Sequence, residues 1–158
     1  MKRFAIALFI AAAALYGAQE VEVVAKKFEA DQDAHIAKFF EDVVFKRGED
    51  VIESDEAYIF FDKNKKPIKF RAVKNVRFTL HHEGKTYKGR CEELIYFPKK
   101  REYILKKDVF VEQLPDGKKI YAEHVLLSLA TGSIDVEGAS KKPVKMVFEI
   151  EEENATAR

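Results

Sequence analysis

The chain has 158 residues, of which 28 are Lys or Arg and 27 are Asp or Glu, so its formal net charge is +1. A net charge this close to zero gives no overall positive potential that would attract a phosphate backbone, so we expect no nucleic-acid partner. Cys91 is the single cysteine, which excludes an internal disulfide; we expect it to be buried as a small apolar residue. With 13 Phe and 6 Tyr, the chain has enough large apolar side chains for a hydrophobic core to stabilise its fold.

The first eighteen residues have the order of a secretory signal. Lys2 and Arg3 precede an uncharged apolar run over residues 4–15, and small residues close it before the chain turns polar. This order predicts a signal peptide over residues 1–18 that is cleaved on export. The run is shorter than the roughly 20 apolar residues that a membrane-spanning helix needs. We therefore favour cleavage over a retained anchor, which stays open as the alternative.

Turn signals divide the rest of the chain. Between them, β-branched and aromatic residues alternate with polar ones, as in Val76, Phe78 and Leu80. Period two between evenly spaced turns predicts an all-β fold of antiparallel strands. One domain is expected over residues 19–150, with a disordered polar tail at 151–158. The turns fall at residues 47–50, 62–67, 82–85, 97–100, 114–117 and 131–133.

The strands follow a repeat. Val43, Val76 and Val109 each come directly after Asp or Asn, and successive valines are 33 residues apart. Each has an apolar residue two positions later, then a glycine, then a second apolar strand, so a two-strand hairpin recurs about three times. The segment 36–44 also has the spacing of an amphipathic helix. Because the later copies alternate with period two, we predict a strand there as well.

These repeated hairpins behind a signal peptide resemble the LptA/OstA-like family of lipopolysaccharide transport proteins. The similarity extends over residues 21–150 and is best at 39–59 and 87–109. The chain departs from the family where Gly-Asn usually precedes the valine, since here Glu precedes Asp, or Lys precedes Asn or Asp. We therefore expect the entry into each hairpin to differ from the family pattern at these points.

The resemblance implies a fold and a function. The fold is an OstA-like β-jellyroll of antiparallel strands, open at both ends, whose apolar interior receives the acyl chains of lipid A in the periplasm. The implied partners are lipopolysaccharide and the OstA-like domains of the inner-membrane and outer-membrane transport proteins. Physical chemistry agrees, because each acyl methylene removed from water is worth about 0.8 kcal/mol and a carrier needs only an apolar wall.

The candidate lipid-binding residues are the inward members of the alternating strands. An ordinary dry core is the equally weighted alternative for each of them. They are Val43, Phe45, Ile59, Phe61, Phe70, Val76, Phe78, Leu80, Tyr96, Leu105, Val109, Val111, Val125, Leu127, Leu129, Val136 and Phe148.

Other patterns point away from catalysis. The sequence has no Ser-His-Asp, HExxH, phosphate-loop or CxxC signature, so we expect neither an enzyme nor a cofactor. His81 and His82 are adjacent, and neighbouring strand residues point to opposite faces, which makes them a poor metal-chelating pair. A positive band over residues 71–90 is interpreted as a solvated face in preference to a contact for lipid A phosphates.

An open sheet leaves unpaired edges, and these predict how copies assemble. The last strand, at about 144–150, and an early one, at about 20–28, are both apolar. Joining the end of one copy to the start of the next predicts head-to-tail self-association, which continues because the contact does not close into a ring. Two alternatives stay open: a periplasmic adaptor that pairs by edge strands without lipid, and an anchored, LptC-like subunit.

Overall fold

The structure of the protein, a computed structural model, describes residues 8–10 and 19–152. The predicted signal peptide, apart from residues 8–10, and the predicted tail from residue 153 onward lie outside the described residues. Within the described ranges, there is no helix with the length and apolar character needed to cross a membrane.

The described chain forms eleven strands that pair antiparallel throughout, so the all-β prediction is confirmed. Six long strands, β4 to β9, follow one another as hairpins and carry most of the sheet. The strands are β1 (Leu8–Ile10), β2 (Val21–Val24), β3 (Lys27–Asp31), β4 (Ile36–Arg47), β5 (Asp50–Phe61), β6 (Pro67–His82), β7 (Lys85–Phe97), β8 (Glu102–Leu114), β9 (Lys118–Ser128), β10 (Ser133–Glu137) and β11 (Lys145–Val147).

The sheet is open, because its strand order runs from β1 through β2 and β4 to β10 without closing on itself. Both of its ends are built from short strands. β2 and β3 pair with successive parts of β4, and β10 and β11 pair with different parts of β9. Each end of the sheet therefore has one long strand bordered by two short ones, and at the first end β1 lies beyond β2.

The 33-residue repeat marks a line along which the sheet bends. In β4, β6 and β8, two consecutive residues have positive φ, and opposite each such pair the register shifts by one residue. An extra residue of this kind bends a strand and raises its twist. We call these three pairs the bend. They are Glu41 and Asp42 (φ 65° and 51°), Lys74 and Asn75 (67° and 52°), and Lys107 and Asp108 (66° and 47°).

The residue types at the bend have a physical reason. Asp and Asn tolerate the left-handed region better than other non-glycine residues, and they occupy the second position of every pair. The first position holds Glu or Lys, for which the left-handed conformation costs roughly 1–2 kcal/mol. The helix-like spacing of the first repeat has a simpler cause: Phe39 and Val43 are four residues apart, an even number, so both belong to the inward series of one strand. Phe40 and Val44 are half-buried on the other face. The strand predicted there is confirmed.

The bend divides the sheet into two arms that face each other. Arm A contains residues 21–24, 43–54, 76–91, 109–122 and 145–147, and arm B contains residues 27–40, 56–73, 93–106 and 124–137. The ring centroids of Phe45 in arm A and Phe70 in arm B are 4.3 Å apart, which places the core between the arms. The arms are thus the two facing layers of the jellyroll, joined along the bend.

Cys91 lies in this core, as expected, and only 3% of it is exposed. Burial raises the pKa of its thiol to about 12. The thiol remains protonated at neutral pH, and only the thiolate is nucleophilic. Cys91 therefore serves as a small packing residue.

Candidate functional site: the cleft between the arms

Most of the predicted inward residues lie between the arms. Phe61 and Val136 are partly buried and pack against the core. Phe148 is the exception: 53% of it is exposed, because it follows β11 at the last edge of the described sheet, where the paired residues Met146 and Val147 are exposed as well. The expectation that Phe148 belongs to the interior is corrected on this ground. The buried members are Val43, Phe45, Ile59, Phe70, Val76, Phe78, Leu80, Tyr96, Leu105, Val109, Val111, Val125, Leu127 and Leu129.

The interior opens to solvent on the side opposite the bend. There the turns of arm A approach the turns of arm B, and a groove of about 810 Å³ lies between them. We call this groove the mouth of the cleft. Its apolar wall includes Phe45, Ile59, Phe70 and Leu129. Charged side chains of both signs form its rim, among them Lys69, Arg101, Glu49 and Glu83.

The predicted set therefore divides into two parts. Phe45, Ile59, Phe70, Tyr96 and Leu129 line the mouth, whereas the remaining buried members pack between the arms away from it. Alternation along a strand identifies the inward face, but the approach of distant turns decides which inward residues border open space.

A polar cluster at the mouth was not among the predicted site residues. Arg47 of arm A donates hydrogen bonds from Nη1 to the phenol of Tyr96 and from Nη2 to the phenol of Tyr103 at 3.0 Å. Both tyrosines belong to arm B. Their rings stack with centroids 4.5 Å apart, and the guanidinium carbon lies 4.6 Å from the centre of the Tyr96 ring. Arg47 thus joins the two arms through side-chain hydrogen bonds.

Arg47 also has a partner in its own arm. Its Nη2 lies 3.1 Å from Oδ2 of Asp50, a residue that is only 7% exposed. The other carboxylate oxygen of Asp50 accepts the backbone N–H of His81 at 2.7 Å, and Nδ1 of His81 lies 3.4 Å from it. Arg47, Asp50 and His81 therefore form one connected group at the tip of arm A.

Two members of this cluster, Arg47 and Tyr103, have a pKa that their surroundings raise. Burial opposes the charge of Arg47, but the oxygens of Tyr103, Tyr96 and Asp50 outweigh it and raise the pKa of the guanidinium above its usual value. Burial likewise raises the pKa of Tyr103. Arg47 is therefore a cation that donates to a neutral phenol at Tyr103. Its Nε–H is buried and has no acceptor among the described residues.

The alternation of inward and outward residues along β4 indicates an inward position for Arg47. Val43 and Phe45 point inward, and Arg47 is the next member of the same series. A charge next to a Gly turn is ordinarily solvated, because burying it without a partner costs several kcal/mol. The partners that make burial possible are Tyr96 and Tyr103, about fifty residues away in the chain.

The positive band on residues 71–90 lies elsewhere. Its members Arg71, Lys74 and Arg77 each face a carboxylate, at 2.5, 2.9 and 3.5 Å respectively, and none of the three lines the mouth. Local ion pairing on the sheet surface accounts for these cations, in agreement with the solvated face that we favoured. Within residues 8–10 and 19–152, no three His, Cys, Asp or Glu side chains are grouped to hold a metal ion.

Comparisons with known proteins agree with this architecture. Among solved structures, sixteen chains match, including LptH, described as the LptA homologous periplasmic component of the conserved lipopolysaccharide transport device from Pseudomonas aeruginosa. LptH is 18% identical, with a TM-score of 0.74 over 84% of this chain and 96% of its own. At that identity the likeness shows the fold, and the predicted jellyroll is confirmed. Among curated protein sequences, none matches.

The family is shown by a second comparison. Residues 22–133 match the family model described as LptA/(LptD N-terminal domain) LPS transport protein, which covers most of the chain. The matched segment runs from β2 to the start of β10 and so includes all three repeats and the bend. The resemblance noted in the sequence is confirmed: this chain belongs to the family of LptA and the N-terminal domain of LptD, which are lipopolysaccharide transport proteins.

Proposed function

We propose that the protein is a periplasmic carrier that shields the acyl chains of lipopolysaccharide between its two arms. The observation that carries this proposal is the open mouth of about 810 Å³, whose apolar wall of Phe45, Ile59 and Phe70 continues into the core. The family match supports lipopolysaccharide as the ligand, and the fold shared with the periplasmic LptH supports the compartment.

The magnitude of apolar burial is sufficient for this task. Each methylene moved from water into the cleft contributes about 0.8 kcal/mol, so a chain of a dozen methylenes contributes about 10 kcal/mol before the costs of association. No reacting group is needed, because the transfer makes and breaks no covalent bond. Release requires only a second apolar surface that accepts the chain.

We propose that export also changes the first edge of the sheet. Residues Leu8–Ile10 pair with residues 21–23, so that β1 lies beside β2. Cleavage after residue 18, which we propose as part of export, removes β1 and leaves the outer edge of β2 unpaired. The exported protein then presents free backbone groups at the start of its sheet, and such an edge readily pairs with another chain.

The two ends of the sheet are matched for assembly. At the start, β2 belongs to arm A and β3 to arm B; at the end, β11 belongs to arm A and β10 to arm B. An end-to-end contact therefore joins arm to arm twice and continues the cleft from one molecule to the next. Met146, Phe148 and Ile150 are exposed at the second end. We propose head-to-tail copies, or pairing with OstA-like domains of membrane components, through these edges.

Site-specific photocrosslinking tests the carrier function. A photoreactive phenylalanine analogue replaces Ile59, which faces the cleft, or its neighbour Phe60, which lies on the opposite face of the same strand. In cells that make lipopolysaccharide, we expect crosslinks from position 59 and none from position 60. Equal labelling, or labelling only at position 60, contradicts transport in the cleft.

The adaptor alternative gives a different result in the same experiment. It is favoured by the exposed apolar residues Met146, Phe148 and Ile150 at the last edge, which suit a protein partner. An adaptor without lipid predicts no crosslink to lipopolysaccharide from position 59. It also predicts protein crosslinks when the analogue replaces Phe148.

A further inference from the structure

The hydrogen bonds of Arg47 lie where the arms have no covalent connection. The strands pass from arm A to arm B only at the bend, and the mouth is on the opposite side. At the mouth, Arg47 reaches across to Tyr96 and Tyr103. Separation of the arms at this side therefore requires these two hydrogen bonds to break.

The cluster can separate between the arms while its contacts within each arm persist. On arm A, Arg47 keeps Asp50 at 3.1 Å, and Asp50 keeps the backbone N–H of His81. On arm B, the stacked rings of Tyr96 and Tyr103 remain together. Opening thus leaves the charge of Arg47 paired, because Asp50 stays beside it when its hydrogen bonds to the two tyrosines are lost. Water entering the mouth can hydrate both phenol oxygens and the guanidinium.

The space behind these bonds is closed in this structure. Arg47 and Tyr96 both line the mouth, and Phe45 and Phe70 lie in contact across the arms beside them. The interior beyond is filled by buried side chains such as Leu105 and Val125. An acyl chain that moves deeper than the mouth must push the arms apart, and the hydrogen bonds of Arg47 resist that movement.

We propose that Arg47, Tyr96 and Tyr103 form a latch, and that acyl chains enter the cleft sideways through the mouth when the latch opens. This proposal rests on the carrier function proposed above and identifies the positioning residues that set the width of the cleft. Closing the arms over a loaded chain restores the hydrogen bonds and excludes water from the ligand.

The width of the mouth gives a test that needs no lipid. In a Cys91→Ala background, spin labels are attached at Glu49→Cys and Lys99→Cys, which are exposed turn positions of arm A and arm B. The test variant is Tyr96→Phe with Tyr103→Phe, which removes both acceptors and keeps both rings. We expect a longer and broader distance distribution than in the labelled parent protein, measured on protein purified from the periplasm.

A matched control removes two phenol oxygens elsewhere. Tyr58 donates to Glu56 next to the bend, and Tyr121 is exposed beside Lys145. The Tyr58→Phe, Tyr121→Phe variant therefore loses the same two atoms without affecting the latch. Its distance distribution should equal that of the parent. Equal distributions for the parent, the latch variant and the control overturn the latch.

The second readout is the association rate of fluorescently labelled lipopolysaccharide in stopped flow. Loss of two hydrogen bonds to a cation predicts association at least about tenfold faster for the latch variant, with the control unchanged; a tenfold change corresponds to about 1.4 kcal/mol. A wider mouth with unchanged rates overturns sideways entry. If none of the proteins takes up lipid while the latch variant still widens, the carrier function fails and the latch stands as the device that sets the distance between the arms.

Discussion

Phe45 of arm A and Phe70 of arm B pack with ring centroids 4.3 Å apart and an angle of 31° between their planes. Both are buried, and both border the mouth. This pair couples the two layers at the point where we propose that lipid enters. Contacts that stabilise the fold and contacts that shape the ligand site are therefore made by the same side chains.

Truncation of this pair should lower stability. Phe45→Ala leaves a cavity between the arms and is expected to decrease the free energy of unfolding by about 3–5 kcal/mol. Val44→Ala on the neighbouring, less buried face of β4 is the control, with a loss of about 1 kcal/mol. Urea denaturation followed by circular dichroism measures both. A loss at Phe45 no larger than at Val44 would contradict the proposed contact between the layers.

Much of the fold could be predicted from the sequence because its signals are local. Val76, Phe78 and Leu80 alternate along β6, and Gly48 and Gly84 mark hairpin turns, with φ of 58° and 77°. The repeat was visible too, but its structural meaning was not. Two consecutive left-handed residues within a long strand have no distinct local pattern when Glu or Lys takes the usual position of Gly.

The candidate site was harder to predict because it depends on contacts between distant segments. Burial of Arg47 and Asp50 requires Tyr96, Tyr103 and the backbone of His81, which come from other hairpins. Sequence patterns assign such charges to solvent, since an unpartnered buried charge is costly. Long-range packing also decides which inward residues reach the mouth.

The close approach of β7 and β8 predicts a strong effect at Gly89. A Cβ added there would lie 1.9 Å from the backbone oxygen of Phe110 and 2.7 Å from Cζ of Phe78. Since a strand carbonyl cannot move without breaking the ladder, Gly89→Ala is expected to unfold the protein or cost more than about 3 kcal/mol.

Gly48→Ala is the control for this substitution, because a Cβ at Gly48 meets no atom within 4 Å and the change costs only the strain of its φ of 58°. That strain is roughly 1–2 kcal/mol. Thermal melting of both variants distinguishes the effects. A Gly89→Ala protein as stable as Gly48→Ala would show that the two strands are farther apart than described.

The bend can be tested at Lys107, an exposed residue with φ of 66°. Lys107→Gly removes the left-handed strain of roughly 1–2 kcal/mol but adds freedom to the unfolded chain, so we expect stability within about 1 kcal/mol of the parent. Lys107→Val places a β-branched residue in that region and should be the least stable of the three proteins. Chemical denaturation gives the ranking; a valine variant that equals the glycine variant would argue against the left-handed pair.

Cys91 predicts a loss of stability at alkaline pH. Burial raises the pKa of its thiol from 9.0 to about 12, so the folded protein holds the proton more tightly than the unfolded chain. The stabilisation is fully present below pH 9 and is lost as pH rises from 9 toward 12. Cys91→Ala should therefore show a shallower fall in the free energy of unfolding over this range. Parallel curves for the two proteins would indicate that the thiol is solvated.

The last prediction concerns the edge formed by β10 and β11. Residues 145–147 pair with β9 on one side only, and the apolar residues Met146 and Phe148 are exposed. If copies join through this edge, deletion of residues 144–158 should give a monomer, because the contact loses its arm A strand and its apolar cover. Deletion of residues 151–158 alone keeps β11 and should leave assembly intact. Light scattering over a wide concentration range, on protein purified from the periplasm, should show mass that grows with concentration for the parent and the shorter deletion. A 144–158 deletion that still assembles would place the contact between copies elsewhere on the sheet, and a parent that stays monomeric at high concentration would contradict head-to-tail assembly.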